Sequence, residues 1–283
     1  MLKRVITGLI FVAIIIPVLI FSDTWLFPAT ISIISVICLF EMIRCMGMHK
    51  NIFLTAPLYA FAAAFPILQR LDVFQDNKIV FMGGIALLSV VSYVAYLFVW
   101  VIFSHGKIAY PDACAMCLTS FYLIFSMNVL LFVRDLEADG RYMWLVLVAS
   151  CITDIFAYFV GRFLGRHKLA PDVSPKKTVE GSIGGIVFCV IGFVVVGVII
   201  GAVEPETSPN YIYLIIGGII MSIISQSGDL IMSVIKRHYK IKDFGKILPG
   251  HGGMLDRIDS LLMAAPSVIL LVLFSYFTGI TLF

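Results

Sequence analysis

The chain has 283 residues, of which 61% are hydrophobic and only 13% charged, with a mean hydropathy of +1.05 and a formal net charge of +3. Soluble domains carry roughly 25% charged and about 45–50% apolar residues, so this composition excludes a water-soluble globular protein. So small a net charge also calls for no nucleic-acid partner, and the apolar runs leave no loop long enough for a separate soluble domain.

A helix that crosses a bilayer needs about 20 mostly apolar residues. Nine segments meet that rule, near 5–22, 25–46, 52–69, 79–103, 114–133, 142–163, 183–202, 211–235 and 257–282. The expected fold is therefore all-α, a polytopic integral membrane protein of about nine transmembrane helices. About five spans fall in an N-terminal region, 1–140. About four fall in a C-terminal region, 141–283, which also holds two polar loops. The opening Met1-Leu2-Lys3-Arg4 and its apolar run resemble a signal peptide without a small-residue cleavage site, and read as an uncleaved first span. The third segment is short and contains Pro57 and Pro66.

Charge sets the expected orientation. With the N-terminus cytoplasmic, sixteen of the twenty Lys and Arg residues fall on the cytoplasmic side. Only Arg70, Lys78, Arg134 and Arg141 fall on the other, which instead carries the acids of "RDLEADGR" and "VEPETSPN". That asymmetry follows the positive-inside rule. The six cysteines give no disulfide framework; Cys114 and Cys117 have CxxC spacing but no second pair or nearby His to complete a zinc site.

Eleven of the sixteen cytoplasmic cations lie in two late loops, 162–182 and 236–257. Attraction to anionic headgroups explains positive charge there, but not the dense Gly, Pro, Ser, Thr, Asp and His around it. In the first loop Ser174-Pro175-Lys176-Lys177-Thr178 sets two cations between two hydroxyls, with Glu180 and then glycines opening a helix. Lysines, small hydroxyls and a helix N-terminus together suit phosphate. The Gly-Lys-Ser/Thr ending of a Walker A loop is missing.

The second polar region begins inside the eighth span. Asp229 lies in a long apolar helix, where an acid costs roughly 2.5–3.5 kcal/mol on insertion scales and normally faces a cavity or partner. Asp154, in the sixth span, is a second such acid, and Tyr158 shares its helix face. Asp256 and Asp259 are three apart at the start of the ninth span, on one helical face, next to Arg257 and the glycines of "PGHGG". Oxygen donors in that arrangement suit Mg²⁺. His251 is a candidate base, phosphate donor or turn residue. Glu41 and Arg44 in the second span can pair at i, i+3 and read as structural. Carboxylates, Mg²⁺ and many cations are the recurring parts of phosphoryl and nucleotidyl transfer.

The run 233–259, "SVIKRHYKIKDFGKILPGHGGMLDRID", resembles the signature of the phosphatidate cytidylyltransferase family, the CDP-diacylglycerol synthases. "SPKKTVEG" and "DIFAYFVGR" are similar to that family's upstream motifs. The resemblance covers the C-terminal half; residues 1–140 are only generically similar. It implies a reaction, CTP plus phosphatidate giving CDP-diacylglycerol and pyrophosphate at the cytoplasmic face of the cell membrane. It also implies dependence on Mg²⁺, with room for a second cation, and a homodimer among membrane lipids. On this reading Asp229 and Asp256 bind the cation, Asp259, Lys242 and His251 complete the catalytic set, and Ser174, Lys176, Lys177, Thr178 and Glu180 meet the nucleotide. Lys236, Arg237 and Arg257 are assigned to the lipid phosphate or the leaving pyrophosphate. The competing reading is an ion-coupled transporter using Asp154 and Asp229. The lack of an internal repeat and the polarity at one membrane face favour the enzyme.

Overall fold

The computed structural model describes residues 13–71, 78–104, 108–136, 140–204, 207–248, 250, 252–279 and 282–283. The helices in chain order are α1 Leu26–Cys45, α2 Ile52–Arg70, α3 Lys78–Phe103, α4 Tyr110–Asp135 and α5 Arg141–Leu164, the last with a π-helical turn at Val148–Ile152. A two-stranded hairpin follows, β1 Lys168–Ala170 and β2 Ser174–Thr178. Then come α6 Val179–Val203, α7 Tyr211–His238, the short α8 Leu255–Ile258 and α9 Leu261–Thr278. Among the described residues, eight helical segments are long and apolar enough to cross a membrane, and they match the second to ninth expected spans. The first expected span lies mostly outside the described residues; 13–20 are helical. The protein is an all-α polytopic membrane protein, and among the described residues its one small sheet is the hairpin.

The chain divides into two compact units, one of Met1–Leu131 with Ile241–Arg257, the other of Phe132–Lys240 with Ile258–Phe283. The sequence suggested a single break at 140/141. The loop 241–257 instead joins the N-terminal unit, because its backbone is hydrogen-bonded to side chains of α1.

In the first unit α1 and α2 pack along their length, with Ser32 Oγ donating to the Ala63 carbonyl at 2.8 Å. The α2 helix runs through Pro57 and Pro66, which the burial of one helix face against neighbours makes tolerable. Phe61, Phe65, Phe121 and Phe125 form an aromatic cluster, and Tyr93 donates to the Leu54 carbonyl at 2.9 Å.

The second unit is held by close helix approach. In lipid, helices gain nothing from hiding apolar surface from water, so small residues that let backbones approach carry the packing. A Cβ on Gly181 would stand 2.6 Å from the Ala157 carbonyl oxygen, and one on Gly184 would stand 2.6 Å from Val160. Those glycines press α6 onto α5. Thr153 Oγ1 and Ser222 Oγ, both buried, bond at 3.1 Å and tie α5 to α7. Overpacking a close contact costs about 1–3 kcal/mol. Gly181→Val should therefore lower the melting temperature of detergent-purified protein by about 5 °C or more. Gly84→Val, at a position with open space around it, should leave it unchanged. Equal melting of the two variants would contradict the glycine seam.

Candidate active site

The segment expected as an anion-binding loop is a strand. Ser174–Thr178 pairs antiparallel with Lys168–Ala170, and Thr178 then caps α6, its hydroxyl accepting from the Gly181 N–H at 3.1 Å. Glu180 points back to the start of the hairpin. Its carboxylate accepts from the backbone N–H groups of Arg166 at 3.0 Å and His167 at 3.2 Å, and lies 2.6 Å from His167 Nδ1. The Val179 N–H donates to the His167 carbonyl at 2.9 Å. Arg237, on the last turn of α7, donates from Nε to the Val173 carbonyl at 3.1 Å. Both ends of the hairpin are thus tied to helices, and Lys176 stands exposed on it while Lys177 is half-buried.

Lys177 meets Asp229. Its Nζ is 2.6 Å from Asp229 Oδ2, and Ser233 Oγ, one turn further along α7, donates to Oδ1 at 3.4 Å. The next residue before Asp229 explains how a second acid comes near. A Cβ on Gly228 would lie 2.9 Å from Met263 and 3.0 Å from the Asp259 carbonyl oxygen, so here α7 and the segment leading into α9 are in backbone contact. Asp259 is in the field of Asp229 and Asp154, opposed by Lys236, whose Nζ stands 3.9 Å from Asp259 Oδ2. Asp154, just past the π-helical turn, accepts from Ser260 Oγ at 2.6 Å, and the Ser260 N–H donates to Asp259 Oδ1 at 3.0 Å. The C-terminal unit so gathers three carboxylates and two lysines, with Ser233 and Ser260 supporting them. Among the described residues no three His, Cys, Asp or Glu side chains converge as a ready-made metal cage.

Asp256 and the loop before it belong to the other unit. Asp256 Oδ2 accepts from the backbone N–H groups of Phe244 at 2.9 Å and Gly253 at 3.0 Å, closing the loop on itself. The Leu248 N–H reaches the Gly252 carbonyl at 3.0 Å, with Gly252 at φ +90°. Glu41, fully buried in α1, accepts from the N–H groups of Met254 at 3.2 Å and Leu255 at 2.8 Å. Arg44 donates to the Phe244 carbonyl at 3.0 Å. The i, i+3 reading of Glu41 and Arg44 missed these long-range bonds, although the rule that flagged Asp154 and Asp229 as acids within a span applies to Glu41 equally. Lys242 and Arg257 are exposed on this loop; His251 lies outside the described residues.

Three acids and two lysines thus meet at the ends of membrane-spanning helices of one unit. The model of the Cytidylyltransferase family matches residues 2–275, and the chain belongs to that family. It is 32% identical over 263 residues to the phosphatidate cytidylyltransferase of Staphylococcus haemolyticus (strain JCSC1435), covering 93% of this chain and 95% of that one. Identity to the phosphatidate cytidylyltransferase of Staphylococcus epidermidis (strain ATCC 12228 / FDA PCI 1200) is 31% over 264 residues, with the same coverage. With that of Bacillus subtilis (strain 168) it is 39% over 184 residues, covering 64% of this chain and 66% of the relative. The protein is a nucleotidyltransferase, and the transporter reading has no support.

Proposed function

We infer that this protein joins CTP to phosphatidate, releasing pyrophosphate and forming CDP-diacylglycerol, at the cytoplasmic face of the cell membrane. The contact that carries the reading is Lys177 to Asp229 at 2.6 Å, because it sets a phosphate-binding lysine against the one acid in α7. The names of the relatives agree with it.

In the proposed reaction a phosphatidate oxygen attacks the α-phosphorus of CTP, a new P–O bond forms, and the bond to the β-phosphate oxygen breaks. A phosphate monoester is largely ionised near pH 7, so no dedicated base is required. Catalysis then rests on positioning and on neutralising charge. Ser174, Lys176, Lys177 and Thr178 are assigned to the nucleotide and its phosphates. Glu180 supports them indirectly, by fixing the start of the hairpin. Lys236 and Arg237 are assigned to the lipid phosphate or leaving pyrophosphate, while the exposed Lys242 and Arg257 keep the roles that the signature implies.

The donor chemistry fits Mg²⁺. Asp229 and Asp259 offer hard oxygens near each other, and Mg²⁺ typically takes one or two carboxylates and completes its shell with water and substrate phosphates, so a protein cage of three acids is not needed. When bound, the ion supplies charge neutralisation for the triphosphate. Asp256 stays among the proposed donors on the strength of the signature alone. A homodimer in the membrane completes the proposal.

Lys176→Ala and Lys177→Ala should each raise the KM for CTP several-fold while the protein still folds, read from initial rates at varied CTP. Wild-type CTP kinetics in both would remove the hairpin lysines from nucleotide binding. For the reaction itself, pyrophosphate release should require both CTP and phosphatidate. Release from CTP alone would sink the proposal.

A further inference from the structure

Glu41 is 0% exposed in a mostly apolar helix whose other charged residue is Arg44. A carboxylate in that position is costly to insert and would be replaced at no loss by leucine if it served packing alone. Its two oxygens instead divide between two backbone N–H groups of one loop, Met254 to Oε1 and Leu255 to Oε2. The loop is shaped to receive it, since a Cβ on either Gly245 or Gly253 would collide with the Glu41 carboxylate. Arg44, one turn further along α1, takes the Phe244 carbonyl. Phe244, Leu255 and Asp256 are buried on the inner side of the loop, while Lys242, Asp243, Lys246 and Arg257 are exposed. Two side chains of α1 therefore hold the backbone of the loop at Phe244 and at Met254 and Leu255.

We propose that Glu41 and Arg44 are positioning residues for cytidylyl transfer, holding the signature loop by its backbone from α1 of the N-terminal unit. The proposal rests on the phosphatidate cytidylyltransferase reading, because the loop they hold carries that signature. It gives the N-terminal region a part in the reaction, whereas its sequence read only as generic spans. Neither residue touches a reacting atom. Both act through the loop.

The test uses the full chain purified in detergent. Glu41→Gln keeps size and shape but offers one oxygen where two are used, and turns an amide NH₂ toward a backbone N–H. Three quantities are read: tritiated CTP bound per protein, CDP-diacylglycerol formed per CTP-binding site, and hydrogen exchange of the loop amides. The expected result is wild-type CTP stoichiometry, turnover per site lower by about tenfold or more, and faster exchange at Met254 and Leu255 while amides of α6 and α7 stay protected. Turnover per site at the wild-type level would overturn the proposal, as would a turnover loss that only follows lost CTP sites. Should Glu41→Gln fail to fold, Arg44→Gln serves, since Arg44 is exposed and its substitution leaves the helix interior intact. It should loosen Phe244 and lower turnover in the same way, and normal turnover there would overturn the proposal too. A wild-type protein that binds CTP but makes no CDP-lipid would instead fault the reaction assigned to the chain, and is seen before any variant is compared.

Discussion

Asp229→Asn should insert and purify like the wild type and lose turnover on the order of a hundredfold or more. Asparagine preserves the shape that packs beside Gly228 and can still accept from Ser233, so the helix has no reason to unfold. What it removes is the negative charge that faces Lys177 at 2.6 Å and acts on Asp259. In the proposed reaction that charge holds the cation and sets the position of the lysine meant for CTP phosphates. Asp259→Asn should behave alike. Because the two act on one ion, the double variant should be scarcely worse than either single one. Additive losses in kcat would mean separate roles. Rescue of either single variant by raising Mg²⁺ would show a weakened ion site directly.

Asp256 separates into two effects that different substitutions should report. Its Oδ2 accepts from the buried N–H groups of Phe244 and Gly253, and leaving such a donor without a partner costs about 1–3 kcal/mol. Asp256→Ala should therefore lower the melting temperature and speed exchange at both amides. Asp256→Asn can turn its oxygen to the same two donors and should melt like the wild type. Both variants should lose most turnover, the alanine through a loosened loop and the asparagine through lost charge. An asparagine variant with near-normal turnover would leave Asp256 as a fastening of the loop only, outside the cation site.

The parts of this molecule that follow from local spacing could be read from the sequence. Apolar runs of span length gave the helices, and acids inside those runs singled out Asp154 and Asp229. What local spacing does not encode is which distant segments meet. Lys177 and Asp229 were both candidates, but no period relates residues on a hairpin and a helix, and their ion pair is a product of the packing of α6 and α7. The Ser174–Thr178 segment read as a loop because five residues with a proline carry little strand pattern; only pairing with Lys168–Ala170 makes it one. The role of Glu41 is hidden for a related reason. An arginine at i+3 offers a local partner sufficient to explain it, while its partners are backbone amides 213 and 214 residues later, which have no identity a sequence can show. Glu180 has the same lesson in small: its type suggested ligand contact, and its bonds go to the turn at Arg166 and His167.

The reaction itself is tested by following label from nucleotide to lipid. Detergent-purified protein is given CTP labelled in the cytosine ring, phosphatidate and Mg²⁺, and the chloroform-extractable fraction is counted and identified. Labelled CDP-diacylglycerol should form in amounts equal to the pyrophosphate released, and none when phosphatidate or Mg²⁺ is left out. Label that stays in the aqueous phase with the complete mixture, or enters lipid without phosphatidate, would contradict it.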